Sequence, residues 1–274
     1  MKKTFLLETP CEMRHEALFS EDAFHKAFSK KKDFLHGFMV KVLVTSAKRS
    51  DSWPQKAICC PRWTMALLPL FPLPNVVLFP GVALPLHIFE LRYRAMVADA
   101  LEADRCIGMV LLQPGRWEPN YEGRPPIYPI GCSGVIASAA RLEDGRYNIV
   151  LNGLDRIRIV SEDHERAYRR AIVEPLPDRP LDGAGLEALS AVRVRLTEFI
   201  GLSANPGETA AAPLLSMPDA EFVHTLAQGF DLAPLEKQAL LEREDVLLRA
   251  QSLADLLEMR RLVSNMPPAP IRPQ

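Results

Sequence analysis

The sequence predicts an α+β chain with its strands first and its helices second. Three observations carry that prediction. A proline-punctured apolar run covers residues 66–89, an Asp-Gly pair at 144–145 sits between two stretches of alternating side chains, and from Leu186 onward apolar residues recur at helical spacing.

The apolar run, "ALLPLFPLPNVVLFPGVALPLHIF", contains 24 residues with no Asp, Glu, Lys or Arg, enough by hydropathy to suggest a membrane span. Pro69, Pro72, Pro74, Pro80 and Pro85 exclude a single helix. Each removes a backbone donor and clashes with the preceding turn, and hydrocarbon offers no water to the freed carbonyls. Short extended segments fit instead: "LLPLFPL" and "VALPLHIF" as strands, "PNVVLFPG" as the loop between them. Proline restricts such strands to edges or ends of a sheet. The run is thus expected to open a folded β-domain and not to anchor the chain in a membrane.

Next, Glu90–Asp104 has helical periodicity, with Leu91, Ala95, Met96, Ala98 and Leu101 as the apolar face. "CIGMVLL" is apolar throughout and suits a sheet centre, and Gln113–Pro126 is a Pro/Gly-rich loop. Two alternating runs flank "EDGR", a hairpin signal because Asp-Gly accepts positive φ. In the second run Tyr147, Ile149 and Leu151 point one way; "NGLD" bends the chain before Ile157 and Ile159 resume the alternation. "AYRRAIVEPLPD" supplies another strand.

The helical half opens with Leu186, Leu189, Val192, Leu196, Phe199 and Ile200 on one face. Ser216 and Asp219 have capping-box spacing with Pro218 early in a second helix. Asp231 is the expected cap of a third, and a fourth ends in Arg260 and Arg261, where cations suit the helix dipole. The expected organisation is a β-subdomain over 65–180, a helical bundle over 181–264 and a flexible tail over 265–274. Residues 1–64 lack sustained periodicity and read as a disordered extension, or as sequence upstream of a natural start at Met65. A basic arm for an acidic partner is the alternative.

The net charge of −1 hides an asymmetry: residues 1–64 hold 12 of 33 basic and 7 of 34 acidic side chains, leaving −6 on the remainder. A strongly basic nucleic-acid footprint is therefore missing from the part expected to fold. The five scattered cysteines lack C-x-x-C spacing and read as free thiols in a reducing cytoplasm.

Three stretches carry a family resemblance: "LPLFPLPNVVLFPGVALPLHIFELRYRAMV", "IGCSGVIASAARLEDGRYNIVLNGLDRIRIV" and "LAQGFDLAPLEKQALLEREDVLLRAQSLADLLE". In this order, from about Leu67 to Leu262, the chain resembles the amino-terminal domain of Lon-type ATP-dependent proteases. The resemblance implies a PUA-like, six-stranded β-barrel followed by a helical bundle, and a role in holding substrate proteins. The given sequence contains no G-x-x-x-x-G-K-[ST] loop and no stretch similar to Lon's Ser–Lys site, so neither nucleotide binding nor proteolysis is carried over.

Other chemistry is also missing. "GCSGV" has Val135 where a nucleophile elbow needs glycine, so Ser133 reads as a strand residue. "HERAY" lacks the second histidine of a zinc helix, and His87 lies in an apolar strand without a Cys/His cluster. No cofactor or metal is expected. The arginines of "RIR" (156–158) and "YRR" (168–170) are the most nucleic-acid-like feature, though an ordinary polar sheet face explains them as well. The expectation is a non-enzymatic module binding unfolded or client proteins, with a separate protease as an open further partner. RNA binding, by analogy with other PUA-like barrels, is the alternative. Candidate contacts are Leu70 and Phe71 on the proline-rich strand and Trp117 and Tyr121 in the loop.

Overall fold

A computed structural model describes residues 65–115, 123–203 and 214–264. The expectations for 1–64 and 265–274 fall outside these. Six strands, β1 (Ala66–Leu73), β2 (Ala83–Ile88), β3 (Cys106–Leu111), β4 (Ile130–Arg141), β5 (Tyr147–Asp163) and β6 (Arg170–Pro175), form one sheet in the order β2-β5-β4-β3-β1-β6. An additional β5–β6 pairing closes it into a barrel.

Closure depends on β5, whose 17 residues serve two neighbours along one edge. Its first part, Tyr147–Asn152, pairs with β2, and its last part, from Ile157 onward, pairs with β6. The exchange falls at "NGLD", which bends without interrupting the strand. Gly153 is needed there because a Cβ would lie 2.1 Å from the carbonyl oxygen of Phe79 in the loop crossing it. The hairpin turns at Gly145 with φ +80°, closed by Leu142 N–H to Arg146 O and Gly145 N–H to Leu142 O.

The proline-rich β1 is not an edge strand, contrary to expectation. It runs antiparallel to β6 through Ala66–Pro69 and then parallel to β3 through Leu70–Leu73, so Pro69 lies where the strand changes partners and Pro72 lies within the parallel segment, opposite Val110. Among the described strands β2 has a single partner, and its Pro85 fits that edge.

The apolar run becomes core: Leu68, Leu70, Phe71, Leu78, Phe79, Leu84 and Ile88 are all buried. Helix α1 (Leu91–Glu102) lies against this core through Tyr93, Met96, Val97 and Ala100. The expected face was rotated: Leu91 is 76% exposed, because the i, i+3, i+4, i+7 set begins at Tyr93, whose ring meets Phe71 edge-on at 4.6 Å.

Helices α2 (Gly183–Ser203), α3 (Asp219–Gly229), α4 (Pro234–Leu241) and α5 (Val246–Ser264) follow. They share a core with Val77, Phe79, Val82 and Leu111 from the sheet half. Leu189, Val192, Leu196 and Ile200 are buried as the spacing predicts, whereas Leu186 is exposed. Two caps differ from expectation. Pro218 occupies the N-cap of α3 without a side-chain cap bond, and Asp219 instead accepts a hydrogen bond from Arg193. For α4 the N-cap is Ala233, whose N–H donates to Glu236 at 2.6 Å, in place of an Asp231 cap. Among the described residues no helix is long and apolar enough to cross a membrane.

Candidate functional site

The expected contact residues are not brought together. Leu70 and Phe71 are 0% and 5% exposed and belong to the core, so they offer no surface to a partner. Near the start of β1 Leu67 is exposed instead, whereas Leu70–Pro72 are buried on both faces of the strand. Trp117 and Tyr121 lie outside the described residues. The ends of their loop are pinned by a Leu112–Ile127 bridge, by Gln113 N–H to Pro126 O and by the Gln113 side-chain amide donating to Ile127 O.

Beside the pinned ends opens a cleft of about 180 Å³, lined by the first turn of α1 (Arg92, Tyr93), residues 123–125 and the segment leading into β6 (Tyr168, Arg169). Arg92 stacks its guanidinium 4.6 Å from the Tyr93 ring centre and donates from Nε to Glu90 at 3.0 Å. The Tyr168 hydroxyl donates to Asp99 at 2.6 Å. Burial, with this bond to Asp99 next, pushes its pKa up to about 12, so it stays a protonated donor.

Arg169 grips Glu162 with two donors, at 2.9 and 2.6 Å, and gives a third to the Pro125 carbonyl at 2.5 Å. It thereby straps the loop end to the barrel. Arg124 is held more lightly: it donates to the Asp163 carbonyl at 3.2 Å and lies 4.0 Å from Glu162. Among the described residues no carboxylate lines the cleft, while three guanidiniums do. These groups can bind and orient an anionic, partly apolar ligand; they do not form a nucleophile–base pair.

A second polar centre lies between barrel and helices. Arg156 of β5 is 5% exposed and donates to the carbonyls of Leu241, Arg243 and Glu244, at 3.1, 2.5 and 3.1 Å. Arg249 of α5, 1% exposed, donates to the Arg243 carbonyl and pairs with Asp178, which also lies 3.2 Å from Arg156 Nε. Burial lowers the Arg156 pKa and Arg249 lowers it further, against the opposing pull of Asp178. Nearby His224 sits stacked on Phe79 with Nδ1 2.9 Å from the Pro80 carbonyl. Burial, then the charge of Arg249, hold its imidazole down to about 3, hence neutral.

The arginines singled out in the sequence thus have internal tasks. Arg156 is a latch rather than a solvated sheet residue, Arg158 pairs with Glu174 at 3.2 Å on the surface, and Arg170 pairs with Asp163 and Glu165. Ser133 is buried, its hydroxyl donating to the Asp155 carbonyl and accepting the Asp155 N–H. His87, on edge strand β2, contacts Asn148 at 2.7 Å. Cys132 is a free thiol whose pKa burial pushes up. Among the described residues no cluster of three or more His, Cys, Asp or Glu could hold a metal ion.

The model of the ATP-dependent protease La (LON) substrate-binding domain matches residues 67–259. The chain belongs to that family. Among curated relatives, Lon protease 2 of Myxococcus xanthus is 30% identical over 199 residues, covering 71% of this chain and 24% of the relative. Lon protease 2 of Sorangium cellulosum is 30% identical over 213 residues, covering 73% and 26%. The chain therefore spans about a quarter of the length of these relatives. The amino-terminal domain of Mycobacterium avium complex Lon protease superimposes with a TM-score of 0.56 at 17% identity, covering 70% of this chain and 98% of that domain, a likeness of fold. The α+β organisation and the LON-domain resemblance read from the sequence are both borne out.

Proposed function

We propose that this LON substrate-binding domain works as a non-catalytic module that holds unfolded or client polypeptides. The observation that carries the reading is the family match over residues 67–259, which falls on a recognition domain and not on a catalytic one. The cleft beside α1 supports it physically: it offers cationic, aromatic and proline surface and no nucleophile–base pair. A separate protease receiving the held polypeptide fits this reading.

The exposed strand edge is a poorer client site than the cleft. In β2, Pro85 leaves the outward side of the edge one donor short, which blunts strand addition. RNA binding has less support, because Arg156, Arg158, Arg169 and Arg170 all spend donors on partners within the chain.

The full chain, mixed with fluorescent, reduced and carboxymethylated α-lactalbumin, is expected to raise its anisotropy equally with and without ATP. Absence of binding by the folded protein, or binding that requires ATP, would contradict the proposal. A steep salt-dependent affinity for single-stranded RNA without affinity for the unfolded protein would favour the alternative.

A further inference from the structure

The cleft lining is chemically one-sided. Among the described residues Arg92, Arg124 and Arg169 face it, and no Asp or Glu does. A guanidinium carries five N–H donors, so the question is which of the three has donors to spare. Arg169 is consumed by Glu162 and by the Pro125 carbonyl. Arg92 is committed to Glu90 and to the Tyr93 ring. Arg124 makes one carbonyl bond, and its carboxylate neighbour, 4.0 Å away, is already bidentate with Arg169. Its side chain keeps 32% of its surface accessible. Around it Pro72, Leu112, Pro125 and the ring of Tyr93 add apolar surface.

The size of the cleft narrows the ligand. At about 180 Å³ it is smaller than the ~300–1,000 Å³ typical of small-molecule pockets, so it suits one or two side chains of a chain running across it. A nucleic-acid strand would need a wider basic track, and residues 65–274 carry −6. We infer that the cleft selects an acidic side chain flanked by aliphatic residues in the bound polypeptide, with Arg124 as the ion-pairing group. This inference rests on the polypeptide-binding function proposed above.

The test uses the full chain and two rhodamine-labelled, C-terminally amidated peptides, Gly-Ser-Gly-Leu-Glu-Leu-Pro-Gly-Ser and its Gln counterpart. Reduced, carboxymethylated α-lactalbumin is a separate probe. A partly exposed charge pair of good geometry predicts about fivefold to tenfold tighter binding of the Glu peptide. In Arg124→Gln that preference disappears while affinity for the Gln peptide is kept, and Arg124→Lys retains part of it. Arg158→Gln, on the surface beside Glu174, leaves the preference whole. Thermal melts of each variant establish that it is folded.

Equal affinity for the two peptides, or a preference that survives in Arg124→Gln, overturns the inference. If that happens while α-lactalbumin still binds, polypeptide holding stands and acid selection falls; if no probe binds, both fall. Displacement of the Glu peptide by single-stranded RNA at lower concentration than by unlabelled Glu peptide also overturns it.

Discussion

Two regions of this molecule are built around arginines, with opposite outcomes. At the junction of barrel and helices, Arg156 and Arg249 are 5% and 1% exposed, and their donors go to backbone carbonyls at residues 241–244 and to Asp178. At the cleft, Arg92 and Arg124 keep 22% and 32% of their side chains accessible, and the Arg124 bonds are few and long. A buried arginine whose donors go to backbone carbonyls and a carboxylate partner orients two halves of a fold and is inaccessible to a ligand. An arginine held by a single carbonyl at a cleft rim retains the capacity to bind. Residue type alone does not separate the two; the partner list does.

The largest effect belongs to the junction. Arg156→Ala takes a donor from the carbonyls of Leu241, Arg243 and Glu244, leaving Arg243 O to Arg249, and removes one of two cations from Asp178; it is expected to cost about 3–5 kcal/mol in urea unfolding. A cost below about 1 kcal/mol would mean the junction is held by its apolar core alone.

A slightly smaller effect comes from His224. Its folded pKa lies near 3, below the ordinary 6.5, so the unfolded chain takes the proton first as pH falls. Its contribution is fully present above about pH 6.5 and is lost toward pH 3, on the order of 4 kcal/mol in all. His224→Gln is therefore expected to flatten the stability–pH slope between pH 6 and 4 by close to one proton. An unchanged slope would assign the acid sensitivity to other groups.

The smallest effect belongs to the cleft. Tyr168→Phe removes the hydroxyl donated to Asp99, at an expected cost of about 1 kcal/mol, because Asp99 remains partly in water. A loss equal to that of Arg156→Ala would erase the contrast between the two regions.

How much of this was legible in the sequence varies with the physics of each part. Alternation in Tyr147, Ile149 and Leu151 and the Asp-Gly turn specify the hairpin, because a half-buried strand leaves a period-2 record. The prolines correctly exclude a spanning helix, yet they misplace β1 at an edge. A strand that exchanges β6 for β3 midway tolerates proline at the exchange, and local sequence does not record that pairing. The α1 face differs from the one its apolar spacing predicts because Leu91 is apolar but exposed, while Tyr93 packs on Phe71, 22 positions earlier in the chain. Leu70 and Phe71 lie in the core and not at the expected contact surface: a run buried on both faces looks, in sequence, like a sticky surface. The cleft drew its arginines from α1, the loop and the β6 approach, and only the barrel's closure brings them together.

The claim that the chain holds unfolded polypeptide at the cleft, and not at the junction, is tested most directly by hydrogen exchange. The full chain would be followed by mass spectrometry with and without saturating reduced, carboxymethylated α-lactalbumin. The account predicts slowed exchange in segments containing Arg92–Tyr93, Arg124 and Tyr168–Arg169, with segments 153–158 and 241–249 unchanged. Protection confined to β2 or the junction, with the cleft segments unaltered, would contradict it.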